Sequence, residues 1–598
     1  MKTDPAGTSK YPGPLADPPS QLAPQLWWQS DWVFILFVFA ATLAAYQPVW
    51  HAGFFTDDDP LLTKNALVHA ASGWWRVWVE RPLDYVPATA LSFWLEWHLW
   101  GSHALGYHLV NVLLHALGAV LIWRILQRLK VPGAMLAAAI FALHPVDVET
   151  VAWISERKNT LALVFYAGAL LCYLKFEDSN RWNWYWLAAG CFVLGIFSKT
   201  AVAPLPFVLL GMAWWRRRKI SFKDIQHSLL FFGLAFAAGI LGLWIQHSVN
   251  RGFTVRPETP LARVAGAGKA VWFYFDKCLW PQKLLFLYPK WHVDAKDPLS
   301  YLPTLLVLAV LGLAWAFRHG WGRSVLFSFG YFVVLLLPVL GFVDISFMFA
   351  TLVADHWQYF ALIGPIAFVA AGLAILTEGW NPWLRAGLSA ILLAGLGMWT
   401  WQDTNIFADP YRLWAITVDQ NPESFVAQSA LGNALFVKGQ VDEAIQRYEK
   451  AVAIEPTYYE AHYDLGNIYL RQGQPAKALF EYQNALNIRP EAKALNNVAW
   501  ILAACPNAAL RNGPKAVEIA SAAAEQTKDT DPSVLGTLAA AYAEAGQFPA
   551  AIAEGQHAMQ IAAGMNKTNF MTGLQAQIEL YQRGVPYRDA SMLPTGRP

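Results

Sequence analysis

The chain changes its pattern at about residue 402. Before that point, long apolar runs alternate with short polar stretches. Runs near 32–50, 107–126, 133–149, 159–176, 184–198, 200–215, 226–246, 301–317, 324–342, 357–377 and 383–401 are long enough, or nearly so, to cross a bilayer. That predicts an all-α membrane region of about eleven spans. The segment AVWFYFDKCLWPQKLLFLYP at 270–289 contains Asp276, Lys277 and Lys283, and reads as an aromatic interfacial helix rather than a twelfth span. Beyond 402 the sequence is Ala-rich and charged, with apolar positions at helical period, as in a soluble helical domain.

The second region repeats itself. Residues 425–458 and 459–492 align at a period of 34, the tetratricopeptide length. Leu431, Gly432, Ala444, Tyr448, Ala451 and Pro456 recur as Leu465, Gly466, Ala478, Tyr482, Ala485 and Pro490. An irregular third unit covers 493–527 and a fourth covers 532–565. Four such units bury a continuous core between paired helices and leave a concave groove suited to an extended peptide or partner protein. The expected division is a disordered tail at 1–31, a membrane domain at 32–401 with an outer loop at 51–106, a linker at 402–424, repeats at 425–565, and a C-terminal helix and tail at 566–598.

Composition agrees with two unlike halves. The 598 residues are 56% apolar and only 14% charged, which a soluble protein of this size rarely is. A net charge of +2 with no broad basic face argues against a nucleic-acid partner. The four cysteines, Cys172, Cys191, Cys278 and Cys505, lack disulfide or metal spacing. Basic residues fall in alternate loops: Arg124, Arg128 and Lys130; Lys175 and Arg181; RRRK at 216–219; Arg318 and Arg323; and Arg385. The positive-inside rule then places the N-terminus in the cytoplasm and the 51–106 loop and the repeats together outside.

Candidate chemistry collects on that outer face. HAGFFTDDDPLLTKN at 51–65 sets Asp57, Asp58 and Asp59 beside a span, where mutual repulsion raises the pKa of at least one. They can serve as a general base or hold a divalent cation; equally, DDDP fits a solvated turn with proline at a first helical position. ALHPVDVETVAWISERKNT at 142–160 brings His144, Asp147, Glu149, Glu156, Arg157, Lys158 and Asn159 between apolar spans. Arg157 and Lys158 can hold a phosphate, or snorkel to lipid headgroups. His108, Asn111 and His115 share a helix face and can bond helix to helix. Lys199 in FSKT, and Asp355, His356, Gln358 and Tyr359 in VADHWQYF, complete the set.

FFTDDDPLLTKN, the Trp- and His-rich stretch to residue 118, HPVDVETVAWISERKN and FSKT, followed by the repeats, resemble the TMTC-type membrane O-mannosyltransferases and their bacterial relatives. HPVDVETVAWISERKN is the most specific element. The resemblance implies a GT-C fold and inverting transfer of a sugar, with mannose as the best-known example, from a polyprenyl-phosphate donor to a protein hydroxyl. An acid of the first outer loop is then the base and the repeats present the acceptor.

The acidic pair of the family motif falls on two of Asp57, Asp58 and Asp59. The Pro60 register favours Asp58 and Asp59, the spacing to Asn65 favours Asp57 and Asp58, and Asp58 is the first choice. Arg157, Lys158, Lys199 and His356 are assigned to the donor phosphate, with His144, Glu149, Glu156, Asn159 and Asp355 as supporting polar groups. The chain departs from the family at Thr200, where relatives often carry an acid, and at His356, where many carry arginine. The expected location is a bacterial inner membrane. A non-catalytic scaffold that displays the repeats, and a transferase to a lipid or polysaccharide acceptor, are the alternatives.

Overall fold

The computed structural model describes residues 30–80, 86–249, 255–565 and 567–593. The described residues are helical, with no strand among them. The expected N-terminal tail, apart from its last two residues, lies outside them.

Six helices are long and apolar enough to cross a bilayer: Ala104–Arg128, Ile154–Ser179, Phe222–Ser248, Pro298–Ala316, Gly322–Val339 and Pro382–Phe407. The pair Ala134–Ala142 and Pro145–Ala152, bent by 47°, has the apolar length of a broken span or a re-entrant loop. The chain is an integral membrane protein, but the count of eleven is not reached. Several expected spans are helices of only 13–17 residues, among them Asp31–Ala45, Trp182–Ser198, Leu205–Arg217 and Ile363–Leu376. At 1.5 Å per residue each reaches about 20–25 Å, short of a hydrocarbon core of about 30 Å. Prolines and polar residues at their ends, such as Pro204 and Lys199, break the apolar runs early.

Ala104–Arg128 and the helix running on from Arg157 to Ser179 pack along each other at the centre of the bundle. Gly118 permits their close approach, because a Cβ there would lie 2.6 Å from a Leu163 methyl. The outer helices behave differently. Phe222–Ser248, Pro298–Ala316 and Pro382–Phe407 bury only 22%, 11% and 6% of their most apolar windows against protein, leaving the rest to hydrocarbon. The expected interfacial segment is the end of a helix, Pro260–Leu279, followed by irregular chain through the remaining aromatic residues.

Ion pairs mark one end of the bundle: Asp31 with Arg124, Arg128 with Asp178, and Arg216 and Arg217 with Glu177. The three aspartates of the 51–65 loop lie at the other end, against the start of the Arg157–Ser179 helix.

The repeats form paired helices Phe425–Val437 with Val441–Ile454, Tyr459–Arg471 with Pro475–Ile488, Ala492–Ala504 with Gly513–Gln526, and Pro532–Glu544 with Phe548–Gly564. Thr568–Gln582 packs on the last pair. The periodic glycine has a reason. At Gly432 and Gly466 a Cβ would stand 3.0 and 2.6 Å from the rings of Tyr448 and Tyr482. Each tyrosine hydroxyl in turn donates to an asparagine, Asn433 or Asn467, at 2.8 Å. The stretch 402–424, expected as a linker, instead carries the end of the Pro382–Phe407 helix and a further helix, Pro410–Gln420, which packs on the first repeat. Its Asp409 caps it through the Tyr411 N–H, and its apolar face, Leu413, Trp414 and Val418, is buried.

Candidate active site

The three adjacent aspartates have three different fates. Asp58 is fully buried. One of its oxygens accepts from the Ser155 N–H at 2.8 Å and from the Ser155 hydroxyl; the other accepts from the Phe55 N–H at 3.0 Å. Burial raises its pKa to about 7 against the lowering effect of these bonds, with the charge of Asp57 adding to the rise. Asp59 turns away to Lys64 at 2.6 Å and Thr63 at 2.5 Å. Burial opposes the shift, but these two partners lower its pKa. Asp57 is the exposed member. Asp58 and Asp59 therefore diverge to separate partners. Among the described residues no group of three or more His, Cys, Asp or Glu side chains is placed to hold a metal ion.

Arg157 and Lys158 are neighbours in sequence with opposite surroundings. The Arg157 side chain is wholly buried. Its guanidinium forms a two-pronged pair with Glu96, Nη2 lying 3.2 Å from Oε2, and donates to the Tyr107 carbonyl at 2.9 Å and to Asn111 Oδ1. Its donors are taken up inside the protein, so the structure does not present it to a phosphate, as had been expected. Asn111 likewise serves the interior, donating to the Trp153 carbonyl at 3.1 Å and holding the turn before Arg157.

A second cluster brings the remaining candidates together. Glu156, almost fully buried, lies 3.4 Å from Lys158 Nζ and 3.0 Å from Lys199 Nζ, and accepts from Asn159 Nδ2 at 2.6 Å. Asn159 also donates to the His356 carbonyl at 3.0 Å. His356 is clamped by Glu149, which lies 2.8 Å from its Nδ1 and accepts from its backbone N–H at 3.0 Å. Two lysines share the carboxylate of Glu156. Both keep part of their side chains accessible, 14% for Lys158 and 18% for Lys199.

Asp355 accepts from the Tyr288 hydroxyl at 2.9 Å. Burial and the Glu149 charge hold its carboxyl well above the usual range. Glu149 and Asp355 line a narrow cleft of about 20 Å3 together with Phe286, Phe407, Leu413 and Thr417. That cleft lies between the membrane half and the helix leading into the repeats. His144 stands apart: it bonds the Cys278 carbonyl at 3.0 Å and caps the turn at Pro145. His115 likewise bonds within the bundle, to the Tyr359 hydroxyl at 2.8 Å.

An aromatic chain backs the aspartate loop. Phe55 stacks on Trp153 with ring centres 5.9 Å apart, Trp153 meets Phe286 at 5.0 Å, and Phe286 meets Trp414 of the Pro410–Gln420 helix at 5.0 Å. Sequence reasoning missed Glu96 and Ser155. A lone acid in the apolar run SFWLEWHLW is a signal that a buried cation must exist for it. Ser155 carries no such signal, since the contact spans 97 residues.

A helical membrane bundle with an exposed acid, a lysine-rich corner and an attached repeat solenoid defines the class of architecture. Residues 81–242 match the family model for dolichyl-phosphate-mannose-protein mannosyltransferase. Residues 432–473 and 459–492 match models for the TPR repeat and the tetratricopeptide repeat. The chain is similar to Protein O-mannosyl-transferase Tmtc2 of Drosophila melanogaster, 28% identical over 278 residues that cover 42% of this chain and 28% of the relative. Its similarity to Protein O-mannosyl-transferase TMTC2 of Homo sapiens is 31% over 176 residues, 26% of this chain and 21% of the relative. Tmtc3 of Drosophila melanogaster is 24% identical over 464 residues, 63% of this chain and 49% of the relative. The chain thus spans at most about half the length of these relatives. The matches bear out the resemblance read from HPVDVETVAWISERKN and from the 34-residue repeats.

Proposed function

We propose that the chain is a membrane glycosyltransferase that moves a sugar, with inversion, from a polyprenyl-phosphate donor to a Ser or Thr hydroxyl of a protein acceptor. The observation that carries this reading is one exposed carboxylate, Asp57, held beside a buried one, with Lys158 and Lys199 gathered around Glu156 at the same end of the bundle. Asp57 takes the base role from Asp58. A general base has to touch the incoming hydroxyl, and a fully buried carboxylate that already accepts three hydrogen bonds cannot do so without breaking them. Asp58 is then a positioning residue that pins the loop to Ser155.

In the reaction the acceptor oxygen attacks the anomeric carbon and its proton passes to Asp57. The bond from that carbon to the phosphate oxygen breaks, and its electron pair leaves with the polyprenyl phosphate. Lys158 and Lys199 stabilise that dianion by charge-assisted bonds, and the clamped His356 borders the same corner. Mannose is the sugar to test first, because the relatives' names specify it. The donor is a substrate, and the diverging aspartates favour a mechanism without a divalent cation at Asp57–Asp59. The acceptor is held by the repeat groove. The expected setting is a bacterial inner membrane with site and repeats outside the cytoplasm.

The test is to incubate membranes containing the full chain with radiolabelled polyprenyl-phosphate mannose and a Ser/Thr-rich acceptor protein. Label entering protein, and lost in Asp57→Asn, supports the reading. Label entering only lipid or glycan, or full transfer by Asp57→Asn, overturns it.

A further inference from the structure

The end of the bundle opposite the aspartates holds a second, unrelated concavity. A groove of about 140 Å3 opens between the helices Ala104–Arg128, Arg157–Ser179, Leu205–Arg217, Gly322–Leu336 and Ile363–Leu376. Its walls are apolar, with Leu126, Leu170, Met212, Phe327 and Ala367 among them. From Ser324 near the mouth to Tyr331 farther in, the groove follows about 10 Å of helix.

The mouth is built of aromatic and cationic groups. Trp215 stacks on Phe327 with ring centres 5.0 Å apart, and its indole N–H donates to the Leu129 carbonyl at 3.1 Å. The Arg323 guanidinium lies over the Trp215 ring, 4.4 Å from its centre. Arg218 follows at the end of the Leu205–Arg217 helix, in the left-handed turn at φ 59°, close enough for its charge to act on Arg323. Several neighbouring cations are already matched: Arg128 to Asp178, Arg216 to Glu177 and Asp178, Arg217 to Glu177 and Asp224. Arg218 and Arg323 form no ion pair among the described residues, and the buried Nε of Arg323 has no hydrogen-bond partner. Two arginines of like charge at the lip of an apolar groove lack only an anion with an apolar tail.

We infer that this groove binds an anionic glycerophospholipid of the surrounding leaflet. Its acyl chain lies between the five helices and its phosphate sits on Arg323 and Arg218, with Trp215 at the level of the glycerol. The charge complements Arg218 and Arg323, and the apolar walls suit the upper part of an acyl chain. Lys158 and Lys199, the groups assigned to the donor phosphate, are at the other end of the Arg157–Ser179 helix, so this is a separate site. The inference does not depend on the chemistry at Asp57.

The test is lipid retention by the full chain. Purified protein is equilibrated with equal amounts of phosphatidylglycerol and phosphatidylcholine of the same chains, and bound lipid is counted by native mass spectrometry. Each well-placed arginine is worth about 1 kcal/mol toward an anionic headgroup, so retention should favour phosphatidylglycerol by about ten- to thirtyfold. Arg218→Ala with Arg323→Ala should bring the two lipids near parity. Arg323→Lys should keep most of the preference, and Ala367→Trp should displace both lipids by filling the groove. Arg218→Ala alone, at an exposed turn, gives the same direction if the double variant unfolds, with unchanged melting temperature as its control. Equal retention of the two lipids by the unaltered protein overturns the inference. So does displacement of phosphatidylglycerol by an equal amount of polyprenyl phosphate, which would make the groove a channel for the donor's tail.

Discussion

The two ends of the membrane bundle use the same residue types in opposite ways. At the far end Arg128, Arg216 and Arg217 meet Glu177, Asp178 and Asp224 in pairs whose arginines stay partly open to solvent or headgroups. Exposed pairs of that kind are worth about 0–1 kcal/mol each. At the Asp57 end, Arg157 and Glu96 are buried, and neither keeps bulk water. Such a pair is weak evidence for net stability but its rupture is costly, because one charge is left without compensation. The difference separates charges that build a site from charges that label a surface. Lys158 and Lys199 at the Asp57 end combine partial burial with accessibility.

That comparison can be broken at several points. The largest expected effect is on transfer: Asp57→Asn should lower kcat by about 10²- to 10⁴-fold with the melting temperature unchanged, measured by label transfer to protein. Equal activity would return the base to Asp58 or remove it from this loop. Next is the buried pair. Glu96→Gln should cost about 3–5 kcal/mol of stability, read as thermal unfolding in detergent, whereas the double variant Glu96→Leu with Arg157→Leu should recover most of that loss. Asp178→Asn at the far end should cost only about 0–1 kcal/mol; a loss as large as that of Glu96→Gln would erase the contrast.

Asp58 gives a pH test. Its carboxyl titrates at about 7 in the folded chain and near the ordinary 3.8 when unfolded, so the folded state binds the extra proton between those values. Its contribution to stability is fully present below about pH 4 and is lost as pH rises through about 7, by up to about 1.4 kcal/mol per pH unit. Melting curves of the wild type minus those of Asp58→Asn should show that fall; a flat difference would place the carboxyl in a wetter setting. A smaller effect is expected at the lysine corner. Lys199→Ala should reduce kcat/KM by about tenfold or more through the donor, with little change in acceptor KM. The smallest, in the repeats, is Gly466→Ala, which pushes a methyl into the Tyr482 ring and should cost about 1–3 kcal/mol of solenoid stability.

Much of the architecture was legible. Apolar runs gave the membrane half, and the recurrence of Gly432 and Tyr448 at Gly466 and Tyr482 gave paired helices whose contact the structure explains atom by atom. The span count was less legible because apolar composition does not reveal where a helix stops. Leu205–Arg217 and Ile363–Leu376 are short helices inside longer apolar stretches. The site was legible as a list of residues and not as an arrangement. ERKN reads as a cationic patch, yet one turn of helix sends Arg157 inward to Glu96 and leaves Lys158 beside Glu156. In the same way DDD reads as one acidic cluster, while the close turn after Phe55 sends its three side chains to three environments. Alternation of that kind depends on partners 61 and 97 residues away, which local pattern cannot supply.

The aromatic chain from Phe55 through Trp153 and Phe286 to Trp414 bears on how the molecule can be taken apart. Repeat solenoids are commonly treated as detachable adaptors that can be trimmed or exchanged. Here the first helix past the membrane half is part of the wall behind the aspartate loop, and Asn421 ties it further through the Leu287 carbonyl at 3.2 Å. Cutting the chain near residue 402 would strip that wall and leave Phe286 facing water. A swap that respects the seam belongs after Asn421, where the helix that seats the solenoid and its tie to Leu287 stay with the half they support.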